Sequence, residues 1–172
     1  MEKRMNALKF ALENELKEHE FYMNNARKTK NLAGKNMFKQ IADEEKEHYE
    51  ILKKLHDKWE QQKKWPATVP LKVKKSGVGG LLKALAGKKA ARIAGTDNEL
   101  KAVRTAIDFE ARGVDLYTKL EKGSTDPKEK AFFNLMASIE REHLLSLRDT
   151  EEFLTDPAFW YQNAEKPAFD GA

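Results

Sequence analysis

Apolar residues recur at helical spacing through most of the chain. Leu8, Leu12, Leu16 and Met23 fall among charged residues and predict a helix over 3–29. Asn31 to Gly34 interrupt the pattern. A second helix is predicted from about Lys35 to Lys64, carrying Phe38, Ile41, His48, Leu52 and Leu55. Pro66 and Pro70 stop it, because a proline inside a helix removes a hydrogen bond and clashes with the preceding turn. The stretch 65–96 then changes character, with two prolines, Gly77, Gly79 and Gly80 among lysines. Within it, Leu81 to Ile93 has the pattern of a short amphipathic helix ended by Gly95. A third helix is predicted over Asp97–Lys122 with Gly123 as its C-cap. Asp126-Pro127-Lys128-Glu129 supplies a start signal, with Asp as N-cap, Pro at the first helical position and Glu at the capping-box position. The fourth helix runs to about Phe153. The tail 155–172, with Pro157, Pro167 and the aromatics Phe159, Trp160, Tyr161 and Phe169, is expected to be irregular and docked on the surface.

Short turns make antiparallel helix pairs. The expected architecture is therefore an all-α four-helix bundle in a single domain, 1–172, with hairpins at 3–64 and 97–154 joined by a long crossover at 65–96. A helix of 27 residues spans roughly 40 Å, a distance that about 30 crossover residues can retrace.

Composition narrows the chemistry. With no cysteine, disulfides, iron–sulfur clusters, thiolate metal sites and cysteine nucleophiles are excluded. The charged N-terminus does not resemble a secretory leader, and no apolar run approaches the roughly 20 residues of a membrane span. A soluble, cytoplasmic protein with no membrane partner is expected. The net charge of +4 is unevenly placed: residues 63–93 carry nine Lys and Arg and no acid, which leaves the remainder at −5. That basic crossover opens an alternative, a non-enzymatic bundle that binds polyanions such as lipid or nucleic-acid phosphate. Aromatics for base stacking are sparse there, so nucleic acid is an unlikely partner, and an apolar stripe covering a groove of the bundle accounts for the segment more simply. Trp59, Trp65 and Trp160 are expected to pack under the crossover and tail.

Two Glu-x-x-His motifs, Glu45–His48 and Glu140–His143, lie 95 residues apart. The same offset carries Ala11 to Ala106, Glu15 to Glu110 and Tyr22 to Tyr117. It also carries Phe38 to Phe133, Ala42 to Ala137 and Leu52 to Leu147. One such motif is weak evidence, since Glu and His three apart are common on solvated helix faces. The gapless repeat is what gives it weight. Glu15 and His48 are centred on the first predicted turn, and Glu110 and His143 on the second. Each hairpin thus sets its lone Glu level with its Glu-x-x-His, and both sets can share one level of the bundle. Glu15, Glu45, Glu110 and Glu140 together in an apolar interior would be costly or forced to take up protons unless charge compensates them. Two divalent cations supply it, and neutral His48 and His143 add nitrogen ligands. His19 and His56 have no partner at ligand spacing and are read as surface or boundary residues.

The segments Glu15-Leu-Lys-Glu-His-Glu-Phe-Tyr22, Ile41-Ala-Asp-Glu-Glu-Lys-Glu-His48, Glu110-Ala-Arg-Gly-Val-Asp-Leu-Tyr117 and Met136-Ala-Ser-Ile-Glu-Arg-Glu-His143 resemble the ferritin-like di-iron carboxylate superfamily, and its rubrerythrin branch in particular. The resemblance implies two iron ions, with manganese as the alternative metal. It implies Glu45 and Glu140 as bridges, Glu15 and Glu110 as terminal carboxylates, His48 and His143 as terminal nitrogens, and Tyr22 and Tyr117 as phenols beside the ligands with a redox-buffering role. Rubrerythrins carry a further Glu three residues after the third-helix ligand, where this chain has Gly113. The repeat-related position is Glu18, to which the extra carboxylate is expected to have moved. The Cys-rich rubredoxin domain is missing, which implies an external electron-donor protein. The activity implied is reduction of hydrogen peroxide, or dioxygen, in oxidative-stress defence, in a homo-oligomer, commonly a dimer. Oxidation of ferrous iron for storage is the alternative for the same site.

Overall fold

The computed structural model describes residues 2–62, 76–86 and 94–164. They form α1 (Glu2–Lys28), α2 (Leu32–Gln62), α3 (Val78–Ala86), α4 (Asp97–Gly123), α5 (Pro127–Thr155) and α6 (Pro157–Ala164). The α1–α2 and α4–α5 pairs pack as hairpins along their lengths, with α3 lying against α2, α5 and α6. The repeat is visible in the element bounds, since shifting α1 by 95 gives the bounds of α4, and shifting Leu32 gives Pro127. The expected all-α bundle of two hairpins is what the chain forms. No helix among the described residues is long and apolar enough to cross a membrane.

Local chemistry explains where the helices begin and end, and where the expectations need correction. Asn31 does not break the chain so much as start α2: its Oδ1 accepts from the Ala33 and Gly34 amides, so α2 begins at Leu32 rather than Lys35. Gly123 is the last residue of α4 and not its cap. Ser124 holds that position at φ −82°, where glycine has no advantage. Asp126 caps α5 through the Lys128 amide, with Pro127 in the first turn. α4 opens with a capping box, Thr96 with Glu99. Glu99 reaches further and accepts from the Lys30 and Asn31 amides in the turn of the first hairpin. Its carboxyl is held below the ordinary range: partial burial works against this, and the amides of Asn31, Thr96 and Lys30 with the Thr96 hydroxyl outweigh it.

The interior has two apolar clusters. One gathers Tyr22, Phe38, Ile41, Val103, Leu147 and Phe153 with Val78 and Leu82 of α3. The other gathers Leu8, Leu52, Leu55, Trp59, Phe132 and Phe133. Along α1, Glu15 falls between Leu8 and Tyr22, and along α2, Glu45 falls between Ile41 and Leu52. The acidic layer therefore separates the clusters. Val78 and Leu82 of α3 are fully buried. This helix starts three residues before the expected Leu81. Residues 87–93, Trp65 and all the crossover's basic residues except Lys83 lie outside the described residues.

The tail departs from expectation. Asp156 ends α5 and its Oδ1 accepts from the Ala158 and Phe159 amides, so Pro157 starts a new helix instead of irregular chain. Trp160 is the reason α6 docks: its ring meets Phe153 edge-on at 5.1 Å, and its indole N–H donates to Asp149 at 2.6 Å. Trp59 belongs to the second cluster. Trp160→Ala is expected to lower stability by about 3 kcal/mol, the usual cost of emptying a buried aromatic site. Urea denaturation would measure it, and an unchanged midpoint would mean that α6 contributes nothing to the global fold.

Candidate metal centre

All seven expected ligands meet in the layer between the clusters. Glu15 and Glu18 come from α1, Glu45 and His48 from α2, Glu110 from α4, and Glu140 and His143 from α5. Every one except His48 is at least 97% buried, and His48 is 14% exposed. Three groups bring candidate ligand atoms within 4.8 Å of one another: Glu45, His48 and His143; Glu45, Glu110, Glu140 and His143; and Glu15, Glu18 and Glu45. Glu45 belongs to all three, the placement a bridging carboxylate requires, whereas Glu140 belongs to one. The imidazoles of His48 and His143 face each other across α2 and α5, with ring centres 5.6 Å apart.

His48 and His143 pair with Glu45, but these side chains leave much of one another's hydrogen-bonding capacity unmet. Glu15 Oε2, Glu18 Oε2, Glu45 Oε1, Glu110 Oε2, both oxygens of Glu140 and His143 Nδ1 are buried without a hydrogen-bond partner. His143 Nδ1 lies 2.7 Å from Glu45 Oε1 and 4.0 Å from Glu110 Oε1. Orphaned buried polar atoms are costly, and so many converging on one place is the arrangement of a cation site. Oxygen ligands with two imidazoles suit iron or manganese.

Protonation without a metal follows from the same crowding. Burial, then the charge of Glu45, raises Glu15 to about 8. Burial with neighbouring carboxylates raises Glu18 and Glu140 well above the ordinary range, and burial raises Glu110. Glu45 alone among the five is lowered: burial opposes this, but the charge and hydrogen bonds of His143 and His48 prevail. Burial works against protonation of His48, yet its contacts with Glu15 and Glu45 raise it to about 9. His143 is raised well above 6.5 for the corresponding reason, with Glu45 and Glu44 overcoming burial. Protons stand in for the cations, so metal uptake must release them.

Tyr22 and Tyr117 reach across the bundle. Tyr22 donates to Glu110 Oε1 and Tyr117 to Glu15 Oε1, the latter at 3.2 Å. The two bonds are the same bond under the 95-residue shift, each phenol holding a carboxylate of the opposite hairpin. Burial first, then the adjacent carboxylates, keeps both phenols protonated well beyond 10.

The repeat is broken at Glu18 and Gly113. A Cβ at Gly113 would lie 3.2 Å from Glu140 Cδ and 3.4 Å from its Oε2, so the missing side chain is the space Glu140 occupies. Glu18 Oε1 accepts from Asn14 at 2.8 Å, leaving Oε2 for the centre.

The repeat also hid one residue. Glu44 sits behind His143, its Oε2 3.1 Å from Nε2, and position 139, its counterpart, is Ile139. Lack of a repeat partner is the reason pattern reading passed over it. His19 donates from Nδ1 to the Ala42 carbonyl at 2.7 Å and so joins α1 to α2. His56 lies near Asp57 and Glu60, away from the centre.

The family model for Rubrerythrin matches residues 6–94. The chain belongs to the rubrerythrin family. That match contains Glu15, Glu18, Glu45 and His48, and the internal repeat extends the pattern to Glu110, Glu140 and His143. No curated protein and no solved structure matches the chain. Rubrerythrin membership implies an iron-binding di-metal site, and the convergent Glu and His side chains supply candidate ligand groups for it.

Proposed function

We propose that Glu15, Glu18, Glu45, His48, Glu110, Glu140 and His143 hold two iron ions, and that the chain reduces hydrogen peroxide with electrons from a separate donor protein. The observation that carries the reading is the convergence of buried, unpartnered ligand atoms from all four long helices. Bound ferrous ions would supply one electron each, and a peroxide with two electrons and two protons gives two water molecules. The residues supply the rest. Glu45 touches every ligand group and would span the two ions. Tyr22 and Tyr117 orient Glu110 and Glu15 and keep their protons at those oxygens. The apolar clusters on either side exclude water from the layer. A separate donor protein would return electrons to the site. A cytoplasmic setting and a homodimer belong to the same proposal.

The test is rapid mixing of anaerobically ferrous-loaded protein with peroxide or with dioxygen, using Glu45→Ala/Glu140→Ala as the site-less control. Oxidation at least tenfold faster with peroxide, followed by repeated turnover when reductant is supplied, is expected. Faster oxidation by dioxygen, with ferric iron retained and no turnover, would replace this reading with ferrous-iron oxidation for storage. Failure to bind iron or manganese would remove both.

A further inference from the structure

Glu44 accepts four hydrogen bonds, two on each oxygen. Oε1 takes Gln40 Nε2 at 2.8 Å and the Gly77 amide at 3.0 Å. Oε2 takes the Ser76 hydroxyl at 2.9 Å and His143 Nε2 at 3.1 Å. This fixes the ring's orientation: Nε2–H is committed to Glu44, so the proton given up on metal uptake is the one on Nδ1, which faces Glu45 and Glu110. The other half of the site is built differently. Position 139 holds Ile139, which has no hydrogen-bonding group to offer His48.

Resting on the di-metal reading, we propose that Glu44 is a positioning residue that makes the two metal positions unequal. It locks His143 in one tautomer and one orientation and raises the basicity of Nδ1, so the ion beside His143 is held more tightly than the ion beside His48. Imidazole ligands backed by a carboxylate gain affinity in this way, typically by about 10–100-fold. Ser76 and Gly77 belong to the crossover, so the end of that segment completes the support for the tighter position. Six of the seven ligands are related by the repeat; Glu18, whose counterpart is Gly113, is the other inequality, and the Glu44 substitutions leave it in place.

Anaerobic titration with Co²⁺, followed by its visible absorption, tests this on the full chain with Glu44→Ala and the isosteric Glu44→Gln. Two ions are expected to bind the unsubstituted protein in two resolved steps. Glu44→Ala should weaken the first step by about 10–100-fold and bring the steps together, leaving the second unchanged. Glu44→Gln preserves shape and tests charge, and should weaken the first step by roughly tenfold with the circular dichroism spectrum unaltered. Two-ion binding that neither substitution alters would overturn the role of Glu44 alone. A chain that binds fewer than two ions before substitution would overturn the di-metal reading, and this proposal with it.

Discussion

Glu140→Met is expected to give a chain that is more stable than the unsubstituted protein without metal and that no longer holds two ferrous ions. Both Glu140 oxygens are buried without partners, and the carboxyl is pushed towards its neutral form by burial and by Glu18 and Glu110. A buried unsatisfied polar group costs about 1–3 kcal/mol, and methionine fills similar volume with no polar atom. The gain corresponds to roughly 2–10 °C in melting temperature for a chain of this size. The same change removes a carboxylate from the group formed by Glu45, Glu110, Glu140 and His143. Calorimetry in chelator and anaerobic iron stoichiometry would measure the two effects. A variant that melts earlier in chelator would mean that Glu140 is satisfied in a way its surroundings do not reveal, and one that still binds two ions would exclude it as a ligand.

The metal-free protein is also expected to lose stability as pH rises from about 5 to about 8.5. Glu15 has a folded value near 8 against 4.5 unfolded, so ionising it costs more in the folded chain, and the cost grows from pH 4.5 to about 8. His48 has a folded value near 9 against 6.5, so its contribution is complete below 6.5 and disappears as pH rises through 9. Glu44, lowered to about 2 by its contacts with His143, Gln40 and Gly77 despite burial, is fully stabilising above 4.5 and adds no slope in this window. Glu15 and His48 act in one direction, as do Glu18, Glu110, Glu140 and His143, which are raised as well. A fall of at least about 5 °C in melting temperature is expected in chelator. Saturating Mn²⁺ should remove or reverse it, because deprotonated ligands bind cations better. A metal-free melting temperature that is flat or rises with pH would show that the carboxylates do not share one desolvated layer.

What was legible in the sequence was whatever repeats or obeys helical periodicity. Apolar periodicity located the four long helices, and the offset that relates Glu45–His48 to Glu140–His143 brought six residues to one level, with Glu18 added by the family resemblance. It was blind to features present in only one half. Glu44 has Ile139 as its counterpart and entered through three-dimensional proximity alone. Helix ends read from residue type failed where a neighbour supplied the bond: Asn31 begins α2, and Ser124 replaces Gly123 as cap. α6 escaped because eight residues are too few for a periodic signal. It docks through Trp160, with Tyr161 packed beside it, tertiary contacts that sequence spacing does not report.

The close approach of Glu140 to Gly113 bears on how such a molecule can be put together. Two identical copies of the first hairpin would have the right symmetry to assemble around a shared centre. Each copy would then carry a glutamate at the position of Glu18, including the place where Gly113 now admits Glu140. Both copies would also carry Glu44, and both histidines would be backed alike. A self-assembling pair can build only matched halves. Covalent linkage of the hairpins lets each diverge from the other, so inequivalence at the centre is a property that the tandem polypeptide makes accessible.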